Sequence, residues 1–593
     1  MGGAVTVSKV DELVRAFEEM AELSDIKGEV RFKVNAYHRA AELVREHGEE
    51  LLKLDDVKEL RRYKGIGEGI AKKILEYKHT GAISKLEELK EEIPVELISL
   101  LQVPNLGPKR AKLVYDELGV RTIEELQEAA EAHRLAELYG MGPKAEQNIL
   151  EGIRHLRTTT GRLPLHQAHR IQEEIIAQMR ERLPKLALSP AGSLRRMKET
   201  IGDIDILAAA RDAAPVMEAF CALPGVERVL LRGDTKSSVQ TVDGLQVDLR
   251  VVLPEEYGAA LQYFTGSKDH NVRVREIAKK AGKKINEYGV FRVKDKRRLA
   301  GETEEEVYRA LGMDCPPPEM RENRGEVEAA LEGTLPTLVE LADIRGDLHV
   351  HSEASDGIAS LEEMRAAAEA LGYRYLAITD HARNLRVANG LDRERLLRQV
   401  EEIRKLNAKG DSPVTLLSGS ELNIGNEGEL DYDDEVLSQL DVVVASVHGG
   451  FRQSREQVTR RILAAVRNPH VKIIAHPTGR LIGQRAPYEV DLATVMREAA
   501  ESGTALELNA FPDRLDLNDE NLMEARKLGV KVALGSDAHR REHLAFMYYG
   551  VATARRGWLG PEHLLNAMDL EELLEWLWRG RLDKDRKRAE RKR

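Results

Sequence analysis

Cysteine is nearly absent. Cys221 and Cys315 are the only two in 593 residues, and neither has a cysteine partner at metal-ligand spacing. A disulfide framework is therefore excluded, and a reducing cytoplasm is the expected compartment. Long apolar runs are missing too, so no membrane partner is expected. The first residues, MGGAVTVSKVDELVRAF, lack the basic-then-apolar order of a secretory signal. Nor is there an excess of positive charge: 101 acids outnumber 90 Lys and Arg, a net charge of -11. Spread evenly, that balance would argue against nucleic-acid binding, but it is not spread evenly. Between Lys268 and Arg298 stand twelve Lys or Arg against four acids. A solvated helix face mixes its signs, so this stretch is a candidate for phosphate contact. The acidic excess then belongs elsewhere, and a domain that holds several metal ions is one home for it.

What is present divides the chain. The length exceeds what one core can organise. Residues 1 to about 155 read as successive helices, with apolar residues at three- and four-residue spacing and short Gly/Pro breaks. Three breaks are alike: Lys64-Gly65-Ile66-Gly67, Pro104-Asn105-Leu106-Gly107-Pro108 and Tyr139-Gly140-Met141-Gly142-Pro143. Each precedes a short helix rich in Ala, Lys and Ile or Leu, which is the helix-hairpin-helix pattern. Its glycines allow a phosphate to come close to the amides of the next helix start. After Gly161, β-type runs (186–188, 204–208, 228–231 and 245–252) alternate with helical segments, as in an α+β domain. Cys315-Pro316-Pro317-Pro318 reads as the end of that unit. From about Asp343, apolar strands alternate with amphipathic helices, which predicts an α/β barrel of distorted TIM type.

The expected organisation is multidomain. An all-α N-terminal region comprises a small domain with the first hairpin (1–85) and a DNA-binding domain with the others (86–158). An α+β palm (159–260) and thumb (261–318) follow, then a linker (319–342), the barrel (343–575) and a basic tail (576–593).

Chemistry concentrates in two places. In Gly192-Ser193-Leu194-Arg195-Arg196 to Gly202-Asp203-Ile204-Asp205, the last two acids share one face of a strand, and Asp248 sits in a second alternating strand. Crowded carboxylates repel one another, and divalent cations relieve the repulsion. Adjacent strands would let the three acids hold two ions around a transferring phosphoryl group, with Gly192-Ser193 and an arginine at its charge. In the C-terminal half, predicted strands lead into ligand-type residues: His349, His351 and Asp356, then His381, Glu421, His448, His476, Asp537 and His539. Barrel strands converge at one mouth, so these residues meet there. Six histidines with three carboxylates suit Zn²⁺, Mn²⁺ or Fe²⁺ better than Mg²⁺. Arg345, Arg383, Arg480 and Arg514 stand near these motifs, as solvated charges or as phosphate contacts.

The wording GSLRRMKETIGDIDIL resembles the nucleotidyltransferase palm of family X DNA polymerases, the family of polymerase beta. The C-terminal ligand pattern is similar to the PHP domain, with all nine positions filled. The combination resembles the bacterial members of that family. By that resemblance, Asp203, Asp205 and Asp248 are catalytic and bind Mg²⁺ or Mn²⁺, while Gly192, Ser193, Arg196 and Gly202 hold the incoming triphosphate. Tyr263-Phe264 in Tyr263-Phe264-Thr265-Gly266-Ser267 meets the sugar, Gly266 lies in the same nucleotide-binding motif, and Asn271 and Arg275 meet the nucleotide and template side. Val34-Asn35-Ala36-Tyr37-His38-Arg39-Ala40-Ala41 resembles the family's lyase domain, which places a Schiff-base lysine at Lys73; one supporting lysine of the family is Gly69 here. The resemblance implies gap filling on gapped or nicked double-stranded DNA with dNTPs, in base excision repair and as a monomer. It also implies a 3′–5′ exonuclease or phosphodiesterase in the barrel with Zn²⁺ or Mn²⁺, up to three ions of one or both kinds, and processing of abasic sites.

Overall fold

The computed structural model describes residues 9–579 apart from 64, 102, 104, 105, 160, 161 and 243. Parts of the first two hairpin motifs (Lys64, and Pro104 with Asn105) and the basic end of the chain therefore lie outside the described residues. None of the described helices is long and apolar enough to cross a membrane. The chain forms two compact units.

The N-terminal unit is helical. Lys9–Lys27 and Arg31–Leu51 pack together, and shorter helices complete one apolar core. Local chemistry sets the boundaries. Thr122 and Glu125 make a reciprocal capping box for Ile123–Glu131, and Gly81 and Gly119 end their helices at φ 75° and 71°. Each hairpin drops one apolar residue, Ile66, Leu106 or Met141, into the core.

The second unit carries the palm, thumb and barrel. The palm sheet consists of β1 (Ala187–Pro190), β2 (Asp203–Ala209), β3 (Val226–Arg232), β4 (Lys236–Thr241) and β5 (Gln246–Val252), in the order β1-β2-β5-β4-β3. Only the β2–β5 pair is parallel. Helices Leu165–Arg182 and Ala214–Cys221 bury its apolar face. The thumb joins helices Tyr257–Thr265 and Lys268–Lys280 to an antiparallel ribbon of Lys283–Asn286, Gly289–Arg292 and Arg298–Ala300.

The barrel sheet is parallel, in chain order: β6 (Gly346–Val350), β7 (Tyr375–Ile378), β8 (Thr415–Asn423), β9 (Val442–Ser446), β10 (Ile473–Ile474), β11 (Ala505–Asn509) and β12 (Val532–Gly535). A bridge between Val350 and Ala538 brings its two edges together. Strands buried on both faces read as unbroken apolar runs, as Val442–Ser446 does. Val443 and Ala445 pack toward the surrounding helices, while Val442 and Val444 join a second core with Leu565, Leu573 and Leu577.

Two expected boundaries need correction. The stretch 319–342 is not a plain linker: helix Glu326–Glu332 sends Val327 and Ala330 into the thumb core, and buried Glu326 bonds His270 at 2.6 Å. An apolar pair three residues apart amid charges reads, in sequence, as solvated chain. The barrel does not stop at 575 either, because the helix 570–579 buries Leu577 in its second core.

Candidate functional site

In the palm, β2 brings Asp203 and Asp205 to one face, and the parallel register sets Asp205 opposite Asp248. Burial, then Asp203, then Asp248 push the Asp205 carboxyl up to about 6. Burial would raise Asp248 as well, but Lys236 Nζ at 2.5 Å, the Ser238 hydroxyl and the Gln246 amide at 2.9 Å hold it below its ordinary value. A crowded set of acids with one cation on its edge fits divalent ions bound at its open side. Gly192 is required twice: its φ is +61°, and a Cβ there would collide with Asp205 Oδ2. Ser193 follows in the same turn, and a Cβ on Gly202 would press on Arg162 Nη1 at 2.9 Å.

The double arginine splits in role. Arg195 braces palm to thumb, giving hydrogen bonds to the Thr265 hydroxyl at 2.6 Å and to Glu304, which Arg321 also binds. Arg196 donates to Glu322 at 3.1 Å and to the Thr265 carbonyl at 2.5 Å. Tyr263 and Phe264 meet edge to face at 5.1 Å, with the Arg250 guanidinium 4.6 Å from the Phe264 ring centre. Asn271 ties two helices together by donating to the Tyr263 carbonyl at 2.7 Å and accepting from Gln262 at 2.8 Å. Gly266, at φ +69°, makes the turn between those helices, and Arg275 is exposed. Nine of the twelve basic residues from Lys268 to Arg298 face solvent, as a phosphate-binding face requires.

Added Cβ atoms on Gly67, Gly107 and Gly142 would meet nothing within 4 Å, and Gly67 and Gly107 have φ of -78° and -74°. Neither packing nor backbone conformation demands glycine at those two. Glycine there leaves open the space that a close approach from outside would need. Lys73 Nζ lies 5.8 Å from the Tyr37 ring centre and 3.4 Å from the Gly69 carbonyl.

The barrel gathers its donors at the C-terminal mouth. Among the described residues, compact donor groups form at His351, Asp356, His381 and His539; at His349, His351 and Glu421; and at His381, Glu421 and His448. Glu421 is the hub, with ring nitrogens of His349, His351, His381, His448 and His476 between 2.9 and 3.7 Å from its oxygens. His349 and Glu421 lie inside their strands rather than beyond them. His476 and Asp537 hold positive φ, 29° and 54°, a strained backbone that here aims two donors inward.

The set fits metal ions. His349 Nε2, both nitrogens of His351, His381 Nδ1 and His476 Nδ1 are buried and make no well-aligned hydrogen bond, a costly condition that coordination relieves. Burial pushes His351 and His476 down to about 4, so they stay neutral and able to ligate. Burial also opposes charge on His349, yet Glu507, Glu421 and Asp537 carry it well above its ordinary value. Asp356, His539 and His448 keep 31, 29 and 14% of their side chains exposed, so the cluster opens on that side.

Sequence reasoning missed the residues behind the donors. Glu507 accepts from His349 Nδ1 at 2.6 Å and from the His476 amide at 2.7 Å, leaving His349 Nε2 to face the cluster. Asp347 accepts from the amides of His349 and Ser536 at 3.1 Å. Asp380 binds Ser352, Ser355 and Gln399, fixing the loop before Asp356. Asp347 and Asp380 stand beside the motifs of His349 and His381, whereas Glu507 stands beside none. Of the flanking arginines, Arg345 and Arg383 are exposed, Arg514 Nε lies 3.5 Å from Asp537, and Arg480 is bound to Glu199 and two carbonyls.

Residues 8–83 match a helix-hairpin-helix domain, 97–155 a SAM-like helix-hairpin-helix tandem, 260–322 the DNA polymerase beta thumb and 347–511 the PHP domain. The chain is 42% identical over 570 residues to the "DNA polymerase/3'-5' exonuclease PolX" of Bacillus subtilis (strain 168), covering 96% of this chain and 99% of that relative. It is 32% identical over 241 residues to a "Probable phosphatase" of Syntrophotalea carbinolica, covering 39% of this chain and 95% of that one.

Proposed function

The chain belongs to the family X DNA polymerases that carry a PHP domain, and from that membership we propose how its two sites divide the work. The protein is a DNA polymerase with a 3′–5′ exonuclease, acts on DNA and uses divalent metal ions. The palm fills short gaps from dNTPs, and the barrel shortens or cleans 3′ ends and processes abasic sites, in cytoplasmic base excision repair and as a monomer.

One observation carries the reading: three palm acids on neighbouring strands and the barrel's clustered histidines and carboxylates stand in one chain that matches a polymerase–exonuclease almost end to end. In the palm, Asp203, Asp205 and Asp248 would hold Mg²⁺ or Mn²⁺, which supplies charge neutralisation at the triphosphate and an acidified primer hydroxyl. The turn at Gly192 and Ser193 offers backbone amides and a hydroxyl to phosphate oxygens, Arg196 adds charge, and Tyr263-Phe264 bounds the sugar. In the barrel, the nine donors would hold up to three Zn²⁺ or Mn²⁺ ions, which supply a water nucleophile at neutral pH. Glu507 keeps His349 oriented, and the open side at Asp356, His448 and His539 admits the DNA end.

A primer on a one-nucleotide gap tests both sites, with wild type, Asp205→Ala and His351→Ala compared in Mg²⁺ or Mn²⁺. Extension should vanish only in the first variant and shortening only in the second. A wild type that shortens but never extends would reduce the palm to a DNA-holding relic.

A further inference from the structure

A barrel arginine, Arg556, reaches the polymerase site. Arg556 ends the helix Met547–Arg556, and its side chain is 4% exposed. Its guanidinium donates to the Arg196 carbonyl at 2.5 Å, to Glu322 Oε1 at 3.1 Å and to Asp519 Oδ2 at 2.6 Å. Asp519 opens the barrel helix Asp519–Lys527 and also accepts from Arg324 at 3.1 Å. Glu322 Oε1 is the same oxygen that Arg196 Nε binds, also at 3.1 Å. Charges thus alternate along a mostly buried chain: Arg196, Glu322, Arg556, Asp519, Arg324. Burial opposes ionisation of Glu322 and Asp519, but the flanking arginines hold both below the ordinary carboxylate range.

A role for Arg556 in the polymerase rests on the reading of Arg196 as a triphosphate ligand. Glu322 holds Arg196 through Nε, so phosphate oxygens that draw the guanidinium toward them compete with Glu322 for it. A buried carboxylate left without a cation is costly, so that exchange is resisted unless Glu322 keeps another partner. Lys198 is 4.0 Å away and a third exposed, so it compensates weakly. Arg556 sits on the same oxygen at the same distance as Arg196 and does not leave. It also holds the Arg196 carbonyl, so the peptide stays in place while the side chain swings.

We propose that Arg556, although built into the phosphoesterase barrel, is a positioning residue for the polymerase: it holds Glu322 and the Arg196 backbone so that the Arg196 guanidinium is free for the incoming triphosphate. The arrangement predicts opposite signs for two neighbours. Without Arg556, Glu322 grips Arg196 and the nucleotide binds less well. Without Glu322, nothing competes for Arg196.

The test uses the full chain on a one-nucleotide gap, measuring KM and kcat for the complementary dNTP and the exonuclease rate on the same preparations. Arg556→Gln should raise KM about tenfold, with kcat and exonuclease within about twofold. Glu322→Gln should leave KM at or below wild type, and the double variant should return KM to within about threefold of wild type. If Arg556→Gln does not fold, Arg556→Lys takes its place, with about a threefold rise expected because it keeps the charge but loses the fork of donors. An unchanged KM overturns the proposal. So does a rise that Glu322→Gln fails to reverse, which would mark Arg556 as an ordinary brace. Arg196→Gln separates the premise from the inference. If it leaves KM unaltered, the reading of Arg196 is wrong; if it raises KM while the Arg556 variant does not, only the inference falls.

Discussion

As proposed, the palm and barrel sites would solve one problem, holding cations beside a phosphate, with opposite economies of protein. The palm offers three acids from two neighbouring strands, with Lys236 on one of them, and forms no compact donor group in the described structure. The barrel surrounds one buried carboxylate with five histidines and backs them with Glu507, Asp347 and Asp380. A hard cation that keeps waters needs few protein oxygens when the substrate brings phosphate oxygens of its own. Imidazole-rich catalytic sites hold their ions with protein donors before substrate arrives and keep a position open for water or substrate. On that reading the palm would be half a site that the nucleotide completes, whereas the barrel would hold its ions with protein donors alone.

The largest expected effect attacks those barrel donors. Glu421→Ala should remove the hub of the cluster, abolish the exonuclease and empty the barrel of metal by elemental analysis, while gap filling stays within about twofold. If the purified variant retains its ions, Glu421 is not the hub.

A subtler cut is Glu507→Gln. The amide still fills the space but no longer anchors His349 Nδ1 as an anion, so metal affinity and exonuclease rate should fall about 10- to 100-fold. Polymerisation should not change. Wild-type ion affinity in this variant would reduce Glu507 to a packing residue.

How much of this was legible in sequence follows the same contrast. Asp203, Asp205 and Asp248 were readable because strand alternation places i and i+2 on one face. The barrel donors were readable because parallel strands end at one mouth. Glu507, Asp347 and Asp380 were not, because an acid that orients a histidine carries no spacing rule of its own; only the fold shows which carboxylate lies behind which ring. The same holds for Glu322 and Arg556, which meet across 234 positions. The helix Glu326–Glu332 went unseen because its buried acid, Glu326, looks like solvated charge until His270 is found beside it.

A moderate effect should appear in the palm without any metal. The Asp205 carboxyl stands at about 6 in the folded chain against 3.8 as its reference. Because the folded value is raised, ionisation costs stability: nothing well below pH 4, and the full amount above about pH 6, at most about 3 kcal/mol. In chelator, Asp205→Asn should therefore gain on wild type in thermal unfolding between pH 4 and pH 8, by a few degrees at most. Mg²⁺ should cancel the gain at pH 8. A pH-independent difference would mean that Asp205 is not crowded.

The smallest effect concerns a third site that needs no metal, and so isolates what the other two share. Lys72 and Lys73 are neighbours with different surroundings. Lys72 is exposed and paired with Glu68 at 2.6 Å. Lys73 is pushed below its ordinary value by burial first; Glu76 opposes this, while Lys33 and Lys85 add to it. A Schiff base requires a neutral amine, so Lys73 is the better placed of the two. Lys33 and Lys85 come from helices Arg31–Leu51 and Ser84–Glu92, and they supply positive charge of the kind that Gly69 lacks. Borohydride trapping on incised abasic DNA should fail in Lys73→Ala, stay within about twofold in Lys72→Ala, and leave gap filling and the exonuclease untouched in both. Equal loss in the two variants would mean that these lysines only bind phosphate, and the N-terminal unit would then hold DNA without cutting it.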